Sequence, residues 1–227
     1  MANSPISEFT FATALTVDPE PRDSSVATIA VWSAGLATLA ILLFDLTAGL
    51  GAAGLAVGAG PVASALAIAP CYVALVAMLH REAPERRRAW TIMSLAFAVL
   101  YAGLVSFNYA LQLTVVPQNP VAFANWTLAL KPDSAFWALE VMGYAYMGLS
   151  ALALVPALRE TRARRIAGWL FVVNAVASAL GGAAYLISGD PGHWLAVASL
   201  LVWGVVFPIG TGLIGWDVWR GRVLLPD

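Results

Sequence analysis

The chain has 227 residues, 60% of them apolar and only 11% charged, and twelve cations against thirteen acids leave a formal charge of −1. A soluble domain carries about 45–50% apolar and about 25% charged residues, so these proportions, with a mean hydropathy of +0.80, exclude a soluble fold. The cations sit in short clusters and form no extended basic surface for neutralising phosphates, which argues against nucleic acid as a partner.

The first 25 residues hold four acids, Arg22 and three prolines. They lack the cationic start and the continuous apolar run of a secretory signal, so the expectation for 1–25 is a retained, mostly disordered cytoplasmic tail. Residues 9–17 are a stretch able to lie on the membrane surface. Charges then punctuate the chain, and the intervals free of them are long. Since a helix needs about 20 residues to cross the hydrocarbon, the pattern predicts an all-α, polytopic membrane helix bundle within 26–217. Its six transmembrane helices are expected near 26–47, 60–80, 90–116, 136–158, 166–188 and 194–216, followed by a short cytoplasmic tail over 218–227. The glycine-rich stretch 49–58 either extends the second helix or forms part of a seventh, re-entrant element.

Lys and Arg in short loops are retained on the cytoplasmic side. Arg22, the Arg81 and Arg86–Arg88 group, the Arg159, Arg162, Arg164 and Arg165 group, and Arg220 with Arg222 all fall on one side, and only Lys131 on the other. This places both termini in the cytoplasm (N-in/C-in) at the cell membrane, the inner membrane of a bacterial-type cell. Contacts of the arginine loops with anionic headgroups would make membrane lipid a partner, although topology alone accounts for them.

An ionisable group at helix centre costs about 2.5–3.5 kcal/mol on insertion scales, so each one in a span needs a partner or a cavity. Asp217 lies one turn from Arg220 and is expected to pair with it. Asp45 lies near the outer end of the first span. Glu140 lies deeper, in the fourth, with no cation within a turn, and it is the leading candidate. Trp137, Glu140, Tyr144 and Gly148 share a helix face, as do Tyr101, Val105, Asn108 and Gln112 on the third span, with Tyr109 beside them. The two spans are antiparallel neighbours, so Glu140 and Tyr144 fall at the depth of Asn108 and Gln112. On the fifth span Asn174, Ser178, Gly181, Gly182 and Tyr185 form a polar and small face that serves either helix packing or the same space. Pro70 and Pro208 are expected to kink the second and sixth spans. The outer loop 117–134 carries Phe123, Trp126, Leu128 and Leu130 and is expected to lie on the membrane as a lid; Asn125-Trp126-Thr127 matches a glycosylation acceptor.

Some chemistry is absent. Lys131 lies outside the spans, which rules out a retinal-type Schiff base, and His80 and His193 fall at opposite faces and cannot share a haem or metal. No cofactor and no metal site are expected. Cys71 has no partner for an intrachain disulfide. Gly148-Leu149-Ser150 sets a serine as in a membrane protease, but no His faces it at that depth to act as base.

Three functions fit these residues. The leading one is a pocket in the outer half of the bundle, built from Glu140, Tyr144, Asn108, Gln112, Tyr109, Trp137, Asn174 and Tyr185, that binds and moves a small apolar or amphipathic molecule with a proton on Glu140. The second is an intramembrane enzyme in which Glu140 is the general acid, assisted by Asp45 or Tyr144, on an isoprenoid-like substrate. The third is an assembly subunit, or a homo-oligomer, whose buried polar groups only specify helix pairing.

Overall fold

The computed structural model describes residues 24–119, 134–190 and 192–221. The tails, the 120–133 part of the outer loop with its lid and glycosylation motif, and Lys131 lie outside these residues. Six long helices form: α1 (Ser24–Ala52), α2 (Gly60–Glu82), α3 (Glu85–Thr114), α4 (Ala135–Leu154), α5 (Arg162–Ser188) and α6 (Trp194–Trp219), with a 3-10 turn at Val155–Ala157 after α4. All six are long and apolar enough to cross a membrane.

Most helices extend past the charge-free intervals, because a charge marks the edge of hydrocarbon and not the end of hydrogen bonding. α3 begins at Glu85 with Arg86–Arg88 on its first turn, and α5 begins at Arg162, where the Thr161 side chain accepts from the Arg164 N–H at 3.1 Å. The glycine-rich stretch corrects the expectation for it. Its first residues continue α1 rather than α2, the helix ends before Gly54, whose φ of 81° is left-handed, and no separate element precedes α2. α2 and α6 run unbroken through Pro70 and Pro208.

Each helix packs on the next in sequence, and α6 returns to α1, so the six close into a ring. Neighbours are antiparallel, as paired positions show. On α1 and α6, Ala34 meets Gly215, Thr38 meets Thr211 at 2.8 Å, and Asp45 meets Gly204. On α3 and α4, Ser94 meets Ser150 and Asn108 meets Glu140. The ring is filled by aromatic side chains: Phe207 packs on Tyr72 at 5.3 Å and on Phe171 at 5.2 Å between ring centres, and Tyr144 meets Trp203 edge-on at 5.1 Å. The inward face of α1 is made of small side chains. On α1, Ala30, Ala34 and Ala37 are buried while Trp32, Leu36 and Leu39 face out.

All described arginines lie at one end of the ring, where α2 turns into α3, α4 into α5, and α6 ends. There Arg87 pairs with Glu160, joining α3 to the segment before α5. Asp217 corrects the expected pairing. Its carboxylate accepts from Arg164 Nε at 2.7 Å, with both side chains fully buried, while Arg220 lies 4.1 Å over the Trp216 ring. Asp217 faces inward toward α5, whereas Arg220 is the first residue beyond α6 and turns back along its outer face.

Removing one partner of a buried ion pair leaves the other charge uncompensated. Asp217→Ala is therefore expected to destabilise the purified protein by about 3–5 kcal/mol in a denaturation titration, and Arg220→Ala far less. Equal losses would show that the buried pair does not hold α5 to α6.

Candidate functional site

α4 begins after Ser134 and carries Glu140 about 8 Å along its axis from Ala135, by the 1.5 Å rise per residue. Glu140 is 8% exposed, and its carboxyl is held from α3. Asn108 Nδ2 donates to Oε2 at 3.2 Å, and the Tyr109 hydroxyl donates to Oε1. Asn108 Nδ2 also donates to the Phe136 carbonyl at 3.3 Å. A carbonyl can only accept, so this contact fixes the amide with its NH2 group turned toward Glu140.

Glu140 stands in the wall of a cavity of about 440 Å³, within the range of about 300–1,000 Å³ usual for small-molecule sites. All six helices contribute. Tyr109 comes from α3; Trp137, Glu140 and Tyr144 from α4; Ser178, Gly181, Gly182 and Tyr185 from α5; Ser199 and Trp203 from α6; Phe44 from α1; and Pro61 and Val62 from α2. Trp203 forms the floor with Tyr144 and Phe44, about 13 Å along α6 from Trp194. On one side of this space α5 presents small residues, Ser178, Gly181 and Gly182. Gly181 lies against Ser199 of α6, so closely that a Cβ there would overlap the serine side chain.

Glu140, Tyr109, Tyr144, Trp137 and Tyr185 thus share one cavity. Asn108 lies behind the wall and acts on the cavity through Glu140. Gln112 is buried on the same α3 face but is not in the lining, and Asn174 lies a turn below Ser178, buried, with neither amide atom partnered among the described residues. Asp45 is half-buried outside the lining, packed on Gly204, where a Cβ would stand 2.7 Å from Oδ1. Only a glycine admits the carboxyl there. The contributions of Phe44, Ser199 and Trp203 were not foreseen; on α6 the four-residue spacing of Ser199, Trp203 and Phe207 was the available signal.

Ser150 has a different part. It lies below the floor, fully buried, accepting at 2.9 Å from the Tyr72 hydroxyl and donating at 2.8 Å to the Ser94 carbonyl, while Ser94 Oγ donates at 2.8 Å to the Ser150 carbonyl. These bonds join α2, α3 and α4. Among the described residues, no group of three or more His, Cys, Asp or Glu side chains comes together to hold a metal ion. The chain matches no protein-family model, and neither the curated proteins nor the solved structures contain a match.

Two donors on one carboxyl group have a spectroscopic consequence. Tyr109→Phe is expected to shift the infrared carboxyl bands of Glu140, identified by their loss in Glu140→Gln, because one of the two bonds is gone. Unmoved bands would mean that Tyr109 is not its partner.

Proposed function

We propose that the chain is a polytopic cell-membrane protein with cytoplasmic termini, and that its cavity binds and carries a small, mainly apolar molecule in step with a proton on Glu140. Large apolar side chains facing out all round the ring, among them Trp32, Leu186 and Ile187, support insertion, since a soluble surface does not expose apolar area on that scale. The gathering of described arginines at one end supports the orientation. In a Cys71→Ser background, Ala53→Cys is expected to react with an impermeant maleimide in intact cells, and Arg159→Cys only after permeabilisation. The reverse pattern would invert the topology.

One observation carries the functional reading: a nearly buried carboxyl, held among the described residues by neutral donors, faces an aromatic-lined cavity large enough for a ligand. An assembly role would need no such space, so the cavity favours binding over that account. Carboxyl groups in apolar surroundings exchange protons with a free-energy cost that a ligand can offset, which links occupancy to pH.

Protein extracted in mild detergent is expected to retain a bound molecule in native mass spectrometry and to release it when the pH is changed. Glu140→Gln, equally well folded by its melting profile, is expected to lose that pH dependence. Release that still follows pH in the variant would overturn the proposal.

A further inference from the structure

We infer that the molecule taken by the cavity is an organic cation, an amine or quaternary ammonium carrying apolar groups, which exchanges with a proton on Glu140. The inference rests on the cavity being a binding site and adds the charge of its ligand. Three observations point to it.

The first is the direction of the hydrogen bonds. The Phe136 carbonyl holds Asn108 with its amino group toward Glu140, and Tyr109 donates to the other oxygen, so the surroundings suit a carboxylate, which accepts only. The second is the missing counter-charge. No Lys, Arg or His is among the described lining residues, and the described arginines are at the far end of the ring. The titratable groups around Glu140 are Asp45 on α1, Tyr72 on α2, Tyr101 and Tyr109 on α3, Tyr144 on α4 and Tyr185 on α5, with none from the α6 lining; each is neutral or negative in any state. A carboxylate in a low-dielectric wall calls for a positive partner, and among the described residues none stands beside Glu140, which leaves the cavity as a place for one. The third is the lining itself. Trp137, Tyr144, Tyr185 and Trp203 offer aromatic rings, whose faces are electron-rich and attract ammonium groups, most strongly when these have shed water.

Proton and cation then compete for one negative charge. At low pH the proton neutralises Glu140 and the cation leaves; at higher pH the carboxylate holds the cation. No bond other than that to the exchanged proton is made or broken.

Benzyltrimethylammonium and its neutral carbon counterpart neopentylbenzene have the same shape and differ by the charge. Each is titrated into the full-length protein in lipid nanodiscs, at pH 5 and pH 8, with tryptophan fluorescence as the readout and empty nanodiscs subtracted. The expected result is saturable binding of the cation that is about tenfold tighter at pH 8 than at pH 5 and about tenfold tighter than that of neopentylbenzene. Glu140→Gln is expected to remove both differences, and Asp45→Asn to leave the pH dependence in place. If neopentylbenzene saturates the cavity as tightly as the cation at both pH values, the ligand is neutral: the cation inference falls and the binding reading stands. Tighter binding of the cation at pH 5 would also overturn the inference. If neither probe saturates, both fall.

Discussion

Phe207 is the hub on which the ring is assembled. Its side chain touches Tyr72 of α2 and Phe171 of α5, and Trp203 on its own helix carries the aromatic packing up to Tyr144 of α4 and Phe44 of α1. Helices with apolar outer faces gain little from hiding more apolar surface among lipid tails, so their association depends on close interior packing and interhelical hydrogen bonds. Here large rings fill the middle, alanines and glycines let the backbones approach, and the Tyr72, Ser94 and Ser150 bonds tie three helices together at depth. Above Trp203 lies the hollow lined by Trp137, Tyr144 and Tyr185. The cavity is the region where this packing stops.

That arrangement gives Glu140 its character. A carboxyl facing a filled core would be a helix-pairing device, and one facing lipid would be costly and without use. At the edge of the aromatic packing it is instead oriented by α3 on one side and open to a hollow on the other. Val105 presses against Gly143 one turn further in, so α3 and α4 are in close contact just below the site, and the geometry of Asn108 and Tyr109 toward Glu140 follows from that register.

Much of this was legible in the chain. Runs free of charge gave six helices, and the pairing of α3 with α4 followed from a short count back from their shared end, which brings Asn108 and Glu140 to one depth. Helix ends were less legible, because charged residues were read as boundaries while the backbones of Arg86–Arg88 and Arg162 are already helical. The partner of Asp217 was misread for a related reason. A neighbour on the same helix is visible in a sequence, but the rotation of α6 that turns Asp217 toward Arg164 is a property of the assembled ring. The roles of Trp203 and Phe44 were hidden in the same way: they come to Tyr144 only because α6 returns to α1, and nothing local announces that closure.

The Arg164 and Asp217 pair bears on how the chain can be made. Arg164 opens the fifth helix, and its neutralising carboxylate lies near the end of the sixth, 53 residues later. The pair can therefore form only once the sixth helix has been made and packed against the fifth. α6 both closes the circle against α1 and supplies that carboxylate, so closure of the ring and formation of the buried pair are one event in assembly.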